Sequence, residues 1–262
     1  MPTGTLVDTH CHLDFDEFNH DRDRVVHRAT SNGVHQIIVP GVSRATWARL
    51  ISCVGQYSQC HYALGMHPLF LSQHRRADLP KLETQLHTGD ALAVGEIGLD
   101  YYQKELDRQR QLELFERQLS IAKRHSLPAI IHCRKAHDDC IRYLRRQEVK
   151  GGIIHAFNGS LQQAHHYIEL GFLLGFGGML TYSRSNKLRR LAKQLPLSSI
   201  VLETDAPDMT VMQHRGQRNS PEYIPYVMEA LASVRGCTSS EITENTTANA
   251  RRVFPSLGKV CE

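Results

Sequence analysis

Apolar residues gather in short runs along this chain, each closed by a turn residue or by a polar segment with helical spacing, so the pattern predicts strands alternating with helices. The strand candidates are Thr5 to His10, Gln36 to Pro40, His61 to Met66, Ala91 to Gly98, Ala129 to Cys133, Gly152 to Phe157, Phe172 to Gly177 and Ser199 to Asp205. The clearest helix runs from Lys104 to His125, where Leu106, Leu112, Phe115, Leu119 and Ala122 fall on or near one face, and Pro128 ends it. Other helices are expected at Arg22 to Ser31, Arg44 to Tyr57, Ala136 to Arg146, Leu161 to Leu170, Asn186 to Gln194 and Pro221 to Val234. Eight strands alternating with helices predict an α/β fold, a single (β/α)8 TIM barrel over residues 1–262. An open doubly wound sheet would spread the first, fourth, fifth, sixth and eighth strands along a line, whereas closure brings their ends together. The chain shows no fixed-period repeat, low-complexity segment or long linker, so one domain is expected.

Polar residues at the carboxyl ends of those runs add the chemistry. His10 and His12 fall at the carboxyl end of the first run, Glu96 of the fourth, His132 of the fifth, His155 of the sixth and Asp205 of the eighth. In a parallel barrel those ends form the catalytic face. A His-x-His pair sets two imidazoles on one side of an extended chain, and a carboxylate such as Glu96 at the end of an apolar stretch is costly unless a cation or an internal ion pair neutralises it. One buried histidine is ordinarily structural. Six ligand-type residues at matching positions make two triads and a carboxylate able to reach two ions. Asp8, in phase with His10, and Glu203, in phase with Asp205, are expected behind the ligands, orienting them.

Bulk composition narrows the setting. Formal charge is only +4, from 31 Lys and Arg against 27 Asp and Glu, which permits an anionic substrate without requiring one and excludes a histone-like character. The seven cysteines, Cys11, Cys53, Cys60, Cys133, Cys140, Cys237 and Cys261, include no C-x-x-C pair, which argues against a disulfide framework or zinc ribbon and for reduced thiols. Met1 to Leu6 lead into the first strand without a basic and apolar leader, and no apolar run approaches the roughly 20 residues of a membrane span. A cytoplasmic protein with no membrane partner is expected, and the Asn245-Thr246-Thr247 sequon is then accidental.

The motifs DTHCH, GMHP, GEIGLDYY, HCR, HAFNGS, LETDAP and RNSPEYIP together resemble the TatD family of metal-dependent deoxyribonucleases, over essentially the whole chain. The resemblance implies a (β/α)8 barrel with two divalent ions, one held by His10, His12 and Asp205, the other by His132 and His155, with Glu96 bridging. Imidazole ligands favour zinc, manganese or cobalt, with magnesium also open. Departures from the family pattern at Leu69, Ala156 and Asn158 bear on substrate preference and leave the ligand set intact.

The function expected is a divalent-metal-dependent hydrolase cleaving DNA phosphodiesters, with a 3′-5′ exonuclease acting on single-stranded ends implied by the family. A bound ion pair lowers the pKa of water and polarises the phosphoryl group. Asp205 is expected as general base as well as ligand, and His67 as a catalytic contact at the mouth. Arg134, Arg184 and Arg218 are the candidate phosphate contacts, with Tyr101, beside Tyr102, a candidate platform for an unpaired base. A metal-dependent ester or amide hydrolase, such as an aminoacyl-tRNA deacylase, is the alternative enzyme. A non-catalytic metal-stabilised binding protein is the reading from another class. His74 and His165-His166 carry no readable pattern.

Overall fold

In the computed structural model, which describes residues 5–258, the alternation holds through all eight expected strands. In chain order the elements are β1 (Leu6–Asp8), α1 (Arg22–Ser31), β2 (Val34–Pro40), α2 (Arg44–Val54), β3 (Cys60–Ala63), α3 (Asp78–Thr88), β4 (Val94–Asp100), α4 (Arg108–Arg124), β5 (Ala129–Arg134), α5 (His137–Gln147), β6 (Gly152–Ile154), α6 (Leu161–Glu169), β7 (Phe172–Phe176), α7 (Asn186–Gln194), β8 (Ile200–Leu202), α8 (Ile224–Arg235) and α9 (Ser239–Val253). Met1 to Gly4 and Cys261 lie outside the described residues. The other six cysteines form no disulfide. Among the described residues no helix is long and apolar enough to cross a membrane.

Two helices appear that the hydrophobic pattern did not give. α3 buries Leu79, Leu82 and Leu86, and its Pro80 sits in the first turn, where a missing N–H costs nothing. α9 buries Ile242 and Ala250 together with Thr243, Thr246, Thr247 and Asn249, a face too polar to read as amphipathic. Three of those polar side chains bond to carbonyls: Thr246 Oγ1 donates to Ile242 O at 2.8 Å, Thr247 Oγ1 to Thr5 O, and Asn249 Nδ2 to the Leu197 and Ile200 carbonyls, each at 2.8 Å.

The described residues form two compact units. In the first (residues 5–39, 54–61 and 174–258) β1 pairs in parallel with β2, Leu6 opposite Val34 and Asp8 opposite Ile37, and β7 with β8, Leu174 opposite Ile200 and Phe176 opposite Leu202. Past β1 and β8 the two segments stay paired: Thr9 N donates to the Leu202 carbonyl at 3.0 Å, Asp205 N to His10 O at 2.8 Å and His12 N to Ala206 O at 2.8 Å. α8 and α9 pack on these strands.

In the second unit (residues 40–53 and 62–173) β4, β5 and β6 run parallel, with Gly98 opposite His132 and Ile131 opposite Ile154. Gly98 has φ +149°, and a Cβ there would run into the His132 carbonyl, so only glycine lets β4 lie this close to β5. α4 packs on β4. Its amino end is capped by Asp107, whose carboxylate accepts from Arg110 N at 3.1 Å. Beside Phe115 and Leu119, its buried face carries Gln111 and Gln118, seven positions apart.

Candidate metal centre

In the first unit, the extended segment after β1 turns His10 and His12 the same way, as alternation requires. Their Nε2 atoms lie 3.4 Å apart, and each faces Asp205 Oδ1, at 3.7 Å from His10 and 3.6 Å from His12. Two imidazole nitrogens at that separation suit one cation: an ion about 2.1 Å from both subtends close to a tetrahedral angle. The donor set, two imidazoles and a carboxylate, fits a divalent metal. Asp205 reaches the position from a left-handed backbone at φ +58°, fixed by the bond from its amide to His10 O. His12 stacks on Phe15, ring centroids 4.6 Å apart and planes 17° from parallel.

Asp8 is fully buried below this group. It acts through the backbone rather than on a ring, a correction to its expected role: its carboxylate accepts from His10 N at 3.2 Å, Thr204 N at 3.0 Å and Thr204 Oγ1 at 2.6 Å. Burial is the dominant influence and pushes its pKa up to about 8, against the opposing pull of those bonds. Glu203, buried, sets a carboxylate oxygen within 4.8 Å of a His10 ring nitrogen. Gly175 on β7 makes that possible, because a Cβ there would fall inside the Glu203 carboxylate.

In the second unit Glu96 is the third residue of β4 and only 2% exposed; the strand continues to Asp100 rather than ending at Gly98 as expected. Glu96 Oε1 lies 3.1 Å from His132 Nδ1 and 3.2 Å from His67 Nε2. The far nitrogen of His132, Nε2, lies 3.0 Å from Asp100 Oδ2. A carboxylate accepts only, so Asp100 keeps the proton on Nε2 and leaves the Nδ1 lone pair directed at Glu96. An imidazole lone pair facing a carboxylate needs a cation or a second ring proton between them. Without metal the proton takes that place: burial alone would lower His132, but the bonds to Asp100 and Glu96 outweigh it and push its pKa up to about 9. With metal, the arrangement is a carboxylate–histidine–cation relay. His155, just past β6, has its ring centroid 6.5 Å from that of His132, with the planes 27° apart.

His67 Nδ1 accepts from Leu69 N at 3.2 Å, so its proton sits on Nε2 and points to Glu96. His67 is 5% exposed and holds Glu96 through its Nε2–H. Sequence reading missed the residues that hold it. His74, buried, donates from Nε2 to the His67 carbonyl at 2.8 Å. Gln118 clamps the preceding residue, accepting from Met66 N at 2.8 Å and donating to Met66 O at 3.1 Å. Gln111 does the same for Asp100, at 2.8 and 3.0 Å. Asp100 itself was legible only as a carboxylate in phase with Glu96, a signal lost once β4 was ended at Gly98.

Comparison with known proteins bears directly on these clusters. A family model described as TatD related DNase matches residues 7–255. The chain belongs to the TatD family. Over 252 residues it is 39% identical to a protein of Escherichia coli (strain K12) named "Uncharacterized metal-dependent hydrolase YjjV", covering 95% of this chain and 97% of that one. The crystal structure of YjjV, a TatD homolog from that organism, superposes with a TM-score of 0.92 at 38% identity, covering 95% of this chain and 98% of that one. At 30% identity over 256 residues, covering 95% and 97% of the two chains, it matches a protein of Klebsiella pneumoniae (strain 342) named "3'-5' ssDNA/RNA exonuclease TatD". This TatD-family chain is therefore a metal-dependent hydrolase with the family's TIM-barrel type of α/β fold.

The expected substrate residues of this TatD-family enzyme divide. Arg134 is exposed, with its guanidinium 3.8 Å from the centroid of the exposed Tyr102 ring, over which Lys135 Nζ also lies at 4.8 Å. Arg184 is exposed in the segment before α7. Arg218 is not available as a phosphate contact: it grips Asp21 with two bonds of 2.8 Å, donates to Glu17 O and covers Phe18 at 4.4 Å. Tyr101 is likewise committed, its hydroxyl donating to Asp139 at 2.7 Å and its ring covered by Arg108 at 4.5 Å. Tyr102 is the exposed residue of the pair, and its ring carries Arg134 and Lys135.

Proposed function

We propose that this TatD-family hydrolase cleaves phosphodiester bonds of DNA, removing nucleotides from single-stranded ends in the 3′ to 5′ direction and using two divalent ions. The facing acceptors carry this reading: His10 Nε2, His12 Nε2 and Asp205 Oδ1 in one unit, His132 Nδ1 and Glu96 Oε1 in the other, separated by 3.1–3.7 Å. Each set has the donors for one ion, with His155 completing the second. Bound divalent ions supply Lewis-acid polarisation of the phosphoryl group and acidify an attacking water. Zinc, manganese and magnesium are the candidates.

The Asp205 carboxylate, 18% exposed at its side chain, takes the proton from that water. Asp8 and Thr204 hold the backbone that carries His10 and Asp205, while Glu203 lies beside His10. His67 fixes the orientation of Glu96 through its Nε2–H. Arg134 and Lys135, both over Tyr102, offer a cationic aromatic platform on which an unpaired base stacks while a phosphate meets the guanidinium. The exonuclease-named relative supports the choice of nucleic acid.

End-labelled single-stranded and duplex oligonucleotides, offered to metal-replete and chelated protein beside carboxylic esters and amides, test the reading. Progressive shortening from the 3′ end that stops on chelation is expected. Ester or amide turnover without phosphodiester cleavage would overturn the nuclease assignment, and metal titration that saturates at one ion with full activity would overturn the ion count.

A further inference from the structure

Outside the metal-ligand clusters the second unit holds a cavity of about 240 Å³, walled by the segment before α3 and by one face of α4. Arg75 and Arg76 line it from the first, Arg110 and Arg117, two helical turns apart, from the second. Four guanidiniums share this space with one carboxylate, that of Glu113. Leu71, Leu79 and His74, all buried, also line it.

A rim of ordinary surface arginines would be expected to take up the carboxylates beside it. These do not. Glu113 stands three positions after Arg110 and four before Arg117 on α4, the spacings of helical ion pairs. It accepts instead from Gln109 Nε2 at 3.2 Å, and among the described residues it pairs with neither arginine. Asp78, three positions after Arg75, accepts from the Arg75 backbone amide at 2.9 Å and from the Arg44 guanidinium at 3.3 Å. Arg110 donates to the Leu71 carbonyl at 3.3 Å, and the side chains of Arg75, Arg76 and Arg117 have no partner among the described residues. Elsewhere α4 does pair its charges: Arg124 meets Glu83 at 2.9 Å, and Glu116 meets Arg146 at 3.5 Å. Four cations around one recess repel one another, and an anion between them removes that cost.

We propose that this cavity binds a compact, hydroxyl-bearing phosphate monoester. Such a group carries close to two negative charges at neutral pH and three terminal oxygens, which several guanidinium forks can grip at once. The space lies below the roughly 300–1,000 Å³ of sites for drug-sized ligands, so the body attached to the phosphate is small, a triose or a single sugar ring. His74 sets the remaining polar contact. Its Nε2 donates to the His67 carbonyl at 2.8 Å, so Nδ1 keeps a lone pair and can only accept, which suits a hydroxyl on the ligand. The apolar side chains of Leu71 and Leu79 lower the local dielectric and strengthen the charge-assisted bonds above them.

Calorimetric titration of the full-length protein with glycerol 3-phosphate, ribose 5-phosphate and inorganic phosphate tests this, at physiological ionic strength and with chelator present so that no phosphate is held by a metal. One ester per chain should bind saturably, and at least one of the two should bind several-fold more tightly than inorganic phosphate. Arg76→Gln combined with Arg117→Gln should raise Kd for that ester about tenfold or more. Arg75→Gln, also at an exposed position, should raise it several-fold and serves if the double variant fails to fold. Arg134→Gln should leave it unchanged, and in metal-replete protein the Arg76 and Arg117 double variant should keep the parent's turnover. Absence of saturable binding, or the same Kd in the parent and the cavity variants, would overturn the site. Inorganic phosphate binding as tightly as both esters would overturn the ester as its ligand.

Discussion

Replacing Gln118 with methionine should destabilise the protein by about 3 kcal/mol and lower turnover in the molecules that remain folded. Both Gln118 and Met66 are fully buried, and the side chain spans the Met66 amide and carbonyl at 2.8 and 3.1 Å. Methionine matches glutamine in length and helix propensity but offers no amide. Each backbone group left without a partner costs about 1–3 kcal/mol, so the pair costs about 2–6 kcal/mol. The more apolar side chain returns about 1–2 kcal/mol. Urea unfolding at fixed pH and without metal measures the difference, which should appear in the midpoint at constant slope. Met66 leads directly into His67, so kcat should fall through misplacement of the imidazole that fixes Glu96. Gln118→Glu keeps an acceptor for the amide but lacks a donor for the carbonyl, and should be at least as damaging once ionised. A Gln118→Met loss below about 0.5 kcal/mol would refute the clamp.

Three further expectations follow from the site. Asp100→Ala removes the acceptor that fixes the His132 proton on Nε2, and should weaken divalent-ion binding about 10–100-fold in a competitive chelator titration; unchanged affinity would discard the relay. Asp8, raised by burial from 3.8 to about 8, stays protonated in the folded state after its unfolded counterpart has ionised, so this group makes metal-free protein lose stability as pH rises between those values. Asp8→Asn should flatten that slope, and an unaltered slope in denaturant midpoints would contradict the assignment. Arg218→Gln should cost about 1 kcal/mol of stability, because the pair with Asp21 is partly solvated, and leave KM for oligonucleotides unchanged. Neutralising Arg134 together with Arg184 should do the reverse, raising KM and flattening its salt dependence; the opposite partition would exchange their roles.

The strands were legible because each is an apolar run between polar segments, and the six ligand-type residues were legible because they interrupt or follow those runs. Their order along the chain gave no distances. His10 and His12 could be paired by alternation alone, since the extended chain continues past β1. Asp100 could not, because GEIGLD reads as a strand ending at its second glycine until the close approach of β4 to His132 is seen. α9 escaped for a related reason: Thr246, Thr247 and Asn249 bond to carbonyls one turn away or across the unit, and no periodicity of apolar residues records that.

The arginines show where sequence reading ends. Arg134 and Arg218 carry the same charge, and both stand in family motifs. What separates them is the neighbour: an exposed tyrosine ring for Arg134, and for Arg218 the carboxylate of Asp21, 197 positions away in sequence. A guanidinium that already has a bidentate carboxylate would have to break two charge-assisted bonds to meet a phosphate, whereas one resting on an aromatic face keeps its donors directed outward. A similar distinction holds between Tyr101 and Tyr102, adjacent in sequence: one hydroxyl is spent on Asp139, while the other residue is exposed and its ring meets the cations of Arg134 and Lys135. Chemical type nominates the residues of a substrate surface, and the prior commitments of each side chain decide which of them can serve.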